Sequence, residues 1–526
     1  MDIREWLRVW QFWWLEAGFL LVFVTTALNW RACLTTLDVR PPAWLLALAL
    51  AATTVVLVFT LPPRTNRIYY DEQIYQSIGQ NLSDLRQAQI CNHGNVDTGR
   101  LQCVAPEYNK QPYGYPHLLS VVYRAFGVRD GLAQMLNSYL AGFTVLALFI
   151  LVVQLTGAVA AGLLAGLVLM LTPEFLLWSA TAAAEPSSAF FALVAAVATA
   201  HYVRQPASRS LWWMVAAVAY AAQFRPESIL ILAIAGVIVL TQASGEFRRR
   251  AFWLGMTGGG VLLAALMLHM YEVRTEGWGT PGERLSIAYV VPNLRVNGWF
   301  YLWDSRFPMW YSVAAVAGIV FGAGRLRDRL VLVMYFAVFF VTYLFFYAGS
   351  YNYGADVRYS MMTYVPLAAL AGLALAAAVD RFTMGTRPLR YAVVAIAVVW
   401  AFSWFTPYVR AEGDEAWGAR ADEAFAKEMS MSLPANSLVL THNPGMFHLW
   451  GRNAAQMSLA TEFPELLTAW KARYGNRIYL HWNFWCNVAD PAQQAFCRKA
   501  LEQFPHVVLT EQTVRDYRFA FYQLSP

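Results

Sequence analysis

The feature that most limits this chain is a succession of long apolar runs, each near the length of a bilayer-crossing helix. A span needs about 20 mostly apolar residues. Such runs occupy 43–61, 132–155, 158–180, 185–203, 228–243, 252–271, 309–324, 330–349, 361–379 and 391–408. The stretch 211–241 is longer than one helix needs and is cut by Arg225-Pro226-Glu227, which predicts two shorter helices meeting at the proline. The run 12–29 carries Glu16 near its start and reads either as a span or as a helix at the surface. Together the runs predict about 11 or 12 spans. Composition agrees. The 526 residues are 58% hydrophobic and 14% charged, whereas soluble domains hold roughly 45–50% and about 25%. A cytosolic enzyme, a disordered chain and a fibrous protein are thereby excluded.

Short basic loops set the expected orientation. Arg204 and Arg209, then Arg248, Arg249 and Arg250, then Arg325, Arg327 and Arg329, then Arg381, Arg387 and Arg390 follow spans in alternating loops. Basic residues in short loops mark the cytoplasmic side. They act here as orientation signals, so the net charge of +6 does not point to nucleic acid. Segments 62–131, 181–184, 225–227, 272–308 and 350–360, and the tail after 409, then face outward. This division predicts a membrane domain over 1–408, whose first outer loop carries interfacial helices, and a periplasmic soluble domain over 409–526. The cysteines fit it. Cys91 with Cys103 and Cys486 with Cys497 are close pairs outside, where oxidation allows disulfides, and Cys33 is alone inside. Metal binding is the competing reading for the pairs, without CxxC spacing to support it.

In the tail, 436–441, 476–482 and 506–510 read as strands and 419–431, 461–473 and 491–504 as helices. Strands alternating with helices predict a small parallel sheet. His442, His448 and His481 show no zinc spacing and read as surface or strand-end residues. Trp450, Trp470, Trp482 and Trp485 are candidates for an acceptor surface, with burial in a small core as the commoner alternative.

Charged residues on the expected outer face carry the functional signal. Asp71 and Glu72 open a helical pattern continued by Ile74, Ile78, Leu82 and Leu85, which predicts a helix on the membrane surface. Its N-terminal dipole favours ionised carboxylates, suited to deprotonating a hydroxyl or holding a divalent cation. Capping and solvation is the plain alternative. Lys110 stands in Asn-Lys-Gln-Pro-Tyr-Gly-Tyr-Pro-His, residues 109–117, where it suits a lipid phosphate or simply snorkels. Glu185 opens an apolar helix, and Arg225 interrupts another; such charges are costly in lipid unless they face water or a partner. Glu185 or Glu227 is a ready partner for Arg225. Arg358 and Tyr359 precede the helix from 361. Five separated segments thus bring charge to one face.

With these residues in place, the chain resembles the C-type glycosyltransferases of the protein O-mannosyltransferase and lipid A aminoarabinose transferase type. The matching features are Asp71-Glu72, Lys110-x-Pro112 with Tyr115-Pro116, Ala-Glu185-Pro, Arg225-Pro226-Glu227, and Arg358-Tyr359 followed by Pro366. In that family the acidic loop usually follows the first membrane helix, whereas two apolar runs precede it here. The resemblance implies an inverting enzyme of the inner membrane that draws on a polyprenyl-phosphate sugar. The acceptor is a glycan, lipid A or a protein. Asp71 and Glu72 are the catalytic candidates, with Asp71 as general base. Lys110, Arg225, Arg358 and Tyr359 are candidates for the donor phosphate, and Glu185, Tyr115 and His117 for positioning sugar or acceptor. A divalent cation held by Asp71, Glu72 and Glu185 stays open. The rival readings are a lipid-linked sugar transporter or flippase and a polysaccharide polymerase or ligase. A transporter should show repeated halves and broken helices around a midplane site, whereas this chain concentrates charge at one face and appends a large outer domain.

Overall fold

The computed structural model describes residues 2–525 other than 277–281, 305, 353–355, 383–394, 396–398, 400–401, 403–404, 408, 411–416 and 464. Among the described residues, eight helices are long and apolar enough to cross a membrane. They are Ile3–Thr35, Pro41–Thr60, Leu132–Thr156, Ala184–Arg204, Pro226–Arg248, Arg250–Glu272, Leu326–Phe345 and Val357–Arg381. Val159–Met170 and Pro173–Ser179 form a ninth unit bent by 67°, at a proline that cannot continue the hydrogen-bond ladder. Met309–Phe321 is a shorter apolar helix. The expected span 391–408, with Arg387 and Arg390, falls largely outside the described residues. The question over 12–29 resolves as one helix of 33 residues, in which Glu16 accepts from Arg124 at 2.7 and 2.9 Å and meets His117 Nε2 at 2.9 Å. The break at Arg225-Pro226-Glu227 falls where the sequence puts it, between Ser208–Ala221 and the helix that follows.

Small residues let the bundle pack backbone against backbone. A Cβ on Gly318 would stand 2.0 Å from Leu370 O, and one on Gly372 would stand 2.5 Å from Ala165 N. Close crossings of this kind hold helices together where lipid removes the hydrophobic drive. They fix the helix Met361–Phe382, which begins just after Arg358. At the opposite end of the bundle, Arg204 donates to Gln154 O at 2.8 Å and Asn29 to Arg209 O at 3.2 Å. Basic loops and acid-bearing loops therefore sit at different ends.

A seven-stranded sheet caps the acid-bearing end, in the order β2-β1-β4-β3-β5-β7-β6. The strands are β1 (Ile90–Asn95), β2 (Gln102–Glu107), β3 (Leu438–Thr441), β4 (Asn453–Gln456), β5 (Ile478–Trp482), β6 (His506–Val514) and β7 (Tyr517–Leu524). The expected strands are present, but only β4-β3-β5 is parallel; β7 and β6 extend it antiparallel. The hairpin β1–β2 comes from the first loop and joins through His93↔Ala455 and Gly94↔Ala454. Gly94 is needed there, because a Cβ would lie 2.7 Å from His448 Nε2. Disulfides link Cys91 to Cys103 across the hairpin and Cys486 to Cys497 in the middle of the helix Pro491–Glu502.

Two expectations change. The helix Asp71–Asp84 does not expose a polar face above lipid, for Gln73, Gln76, Gln80 and Asn81 are buried. Its other side packs on Leu119 and Pro116, and Ser77 abuts Gly445 of the tail. The histidines are not superficial either. His448 and His481 are buried and His442 is half-buried, because each meets a partner inside the tail.

Candidate active site

Of the charged residues predicted from five segments, Asp71, Lys110, Arg225 and Arg358 line one chamber of about 690 Å³, and Glu185 lies behind the two arginines. Asp71, first residue of its helix, reaches Arg358 Nη2 through Oδ2 at 3.3 Å. Arg358 Nε lies 3.0 Å from Glu185 Oε1, and the same oxygen accepts from Arg225 Nη1 at 2.5 Å. Arg225 Nε also donates to Glu227, which accepts from Tyr343 OH at 2.6 Å. Both guanidiniums lie over the Tyr359 ring, at 5.3 Å for Arg225 and 5.1 Å for Arg358. Tyr343 stacks on that ring at 4.8 Å. Local sequence explains the placement. Pro226 stops the preceding helix pattern and leaves Arg225 extended at a helix start, with φ −148° and ψ 159°. Lys110 and Gln111 line another wall, positioned because Gly114 N donates to Gln223 O at 2.8 Å.

The arrangement is a buried ionic frame with one open side. Glu185 is 1% exposed and bound between two arginines, so it anchors them. Arg225 and Arg358 are each 8% exposed and keep their remaining surface toward the chamber. Preorganised cations in a partly dry cavity stabilise developing negative charge strongly, since no solvent must reorganise. Asp71, with a side chain 32% exposed, is the accessible carboxylate among the ion-paired acids at this floor.

Three predicted residues lie elsewhere. Glu72 is fully buried and accepts from the backbone of Arg67 at 2.6 Å, Ile68 at 2.8 Å and Ala182 at 2.7 Å. Burial outweighs these donors and raises its pKa to about 7. Its role is to pin the loop before Asp71 to the turn before Glu185. Tyr115 is buried against Asn137 at 3.3 Å. His117 is closed between Glu16 and Tyr220. Neither lines the chamber. The cation reading fares no better. Both oxygens of Glu72 accept from backbone N–H groups and Oε1 of Glu185 holds two arginines, and Asp71, Glu72 and Glu185 do not form a close ligand group among the described residues. Among the described residues, His442, Cys486 and Cys497 are the one close ligand group, and those sulfurs are joined in a disulfide.

Sequence reasoning missed Tyr75, Tyr343, Arg284 and Tyr347 on the chamber wall and left Trp485 undecided between core and surface. Tyr75 lies four residues after Asp71, one helical turn on, which was a usable signal.

A bundle of this order with charged loops at one end, capped there by a sheet domain, is the fold of the C-type glycosyltransferases. The chain is similar to the crystal structure of ArnT, the lipid A aminoarabinose transferase, from Cupriavidus metallidurans bound to undecaprenyl phosphate. The TM-score is 0.57 and the identity 15%, over 92% of this chain and 98% of that one. Against the apo state of ArnT the values are 0.54 and 16%, over 90% and 97%. No protein-family model and no curated protein sequence matches the chain.

Proposed function

We propose that this protein is a membrane glycosyltransferase that moves a sugar from a polyprenyl-phosphate carrier to an acceptor on the outer face of the inner membrane. One observation carries the reading: Asp71, Arg225 and Arg358, from distant segments, line a single chamber, with both arginines held by the buried Glu185. The likeness to ArnT, solved with undecaprenyl phosphate, supports the donor class. Two disulfides at the sheet-bearing end and basic loops at the other support a periplasmic placement of that end.

In this mechanism Arg225, Arg358 and Lys110 bind the carrier phosphate, with the tyrosines 343 and 359 backing the guanidiniums. Asp71 takes the proton from the acceptor hydroxyl. The hydroxyl oxygen attacks the anomeric carbon as the bond to the phosphate oxygen breaks, and configuration inverts. The phosphate leaves with the bonding electrons and its charge is held by the arginines. Residues 1–408 supply the floor and residues 409–526 the roof.

The test uses the full chain in nanodiscs. Asp71→Asn keeps size and removes the base. Transfer from a radiolabelled polyprenyl-phosphate sugar should fall by about 10²–10⁴-fold, while binding of undecaprenyl phosphate is retained. Near wild-type transfer by this variant overturns the assignment.

A further inference from the structure

The tail contributes one large aromatic to the chamber. Trp485 stands on its wall together with Asp71, carried on the short turn Phe484–Cys486. This tryptophan differs from Trp470, which is 3% exposed and packs inside the sheet domain beside His93. Trp485 is half-buried. Its ring is braced by Tyr70 at 5.8 Å and by Phe484 at 5.8 Å. Its indole Nε1 is inaccessible to solvent and has no hydrogen-bond partner among the described residues. That N–H is closed off from the chamber, so what Trp485 offers there is the surface of its aromatic ring.

The turn is also tied to Asp71. Asp422 Oδ2 accepts from Phe484 N at 3.2 Å and from Tyr69 OH. Those two residues stand one before Trp485 and two before Asp71. The remaining oxygen of Asp422 meets His481 Nε2 at 2.9 Å. Trp485 N donates to Asn483 Oδ1 at 3.0 Å, and Cys486 is fixed to Cys497. A fully buried carboxylate thus sets the spacing between a chamber acid and a chamber indole that lie far apart in sequence.

From this we infer that Trp485 is a stacking platform for a pyranose ring, with Asp422 as the residue that positions it against Asp71. An indole face suits the C–H face of a sugar ring, and Asp71 on the same wall can meet a ring hydroxyl. A small set of polar groups on aromatic walls is the usual composition of such a site. The inference rests on the glycosyl-transfer reading. The ring belongs either to the acceptor or to the donor sugar.

The experiment is saturation-transfer NMR on the full chain in nanodiscs with a panel of methyl pyranosides. The wild type should show transfer to ring protons. The signal should fall about fivefold in Trp485→Ala and recover in Trp485→Phe. Trp470→Phe should leave it unchanged. Asp422→Asn should weaken it while undecaprenyl phosphate still binds. A signal that survives loading with a polyprenyl-phosphate hexose assigns the platform to the acceptor; one that vanishes assigns it to the donor sugar. No pyranoside signal in the wild type, equal signals in Trp485→Ala and wild type, or a Trp485-dependent signal from short peptides alone overturns the inference. Undecaprenyl phosphate serves as the separate check on the parent reading. If it fails to bind while the Trp485-dependent pyranoside signal stands, glycosyl transfer from that carrier falls and the platform remains.

Discussion

The chamber floor and the seam between loop and tail both bury carboxylates, yet they satisfy them in opposite ways. At the floor, Glu185 and Glu227 meet guanidiniums, and the cations keep a face toward open space. At the seam, Asp422 meets a phenol, an imidazole and a backbone amide, and Glu72 meets three backbone amides. Such donors, closed in around the acid, fasten it and leave nothing over for a ligand. Charged partners around a cavity hold their charge in reserve. Asp71 and Glu72 are neighbours in sequence and fall on opposite sides of this divide, because successive helical residues point about 100° apart.

Experiments can break or sharpen that contrast. The largest effect belongs to the floor. Arg358→Gln should slow transfer by about 10²–10³-fold, the usual cost of losing one preorganised charge partner, as read from initial rates with a labelled lipid-linked sugar. Next, Glu185→Gln removes the anion shared by two arginines and should cost about 3 kcal/mol of stability, measured by thermal unfolding in detergent. An unchanged midpoint would mean that the floor is not an ionic frame.

The seam gives smaller, pH-dependent effects. Glu72 has its pKa raised from 4.5 to about 7 by burial. The folded chain therefore keeps this proton to higher pH than the unfolded chain does. Stability from this group is fully present below 4.5 and is withdrawn as pH rises toward about 7. Relative to Glu72→Gln, the wild type should lose about 2 kcal/mol across that window. A constant difference between the two would put the Glu72 proton elsewhere. Least of all, Tyr69→Phe deletes one donor to Asp422 and should cost about 1.5 kcal/mol, with donor binding intact.

Much of the floor was legible from sequence. Glu185, Arg225 and Arg358 are charges set in apolar surroundings, where burial without a partner is too costly to persist, so their convergence could be expected from energetics alone. The paired apolar runs and the Arg225-Pro226-Glu227 break were legible for the same reason. Glu72 was not separable from Asp71, since both carry the same charge at the same helix start. His117 and Tyr115 shared a polar, aromatic segment with Lys110, and only the packing of Glu16 reveals that His117 faces away from the chamber. Trp485 looks like any core tryptophan until its turn is placed. The hairpin β1–β2 gave no sign of its partner because strand pairing across such a distance leaves no local pattern.

That distance has a consequence for how the protein is made. Asn453 donates to Asp97 across 356 residues, and Asn66 donates to Glu423 across 357. The first hairpin therefore emerges from the ribosome long before β4 exists. It must wait, with an open edge, until the intervening spans are threaded and the tail has followed. Completion of the last domain is the step that seals the first loop. A C-terminal truncation would return Asp71 to a loop without its lid, so no shortened version ending before residue 417 should yield a working chamber, and chaperone demand should peak while that early edge stands unpaired.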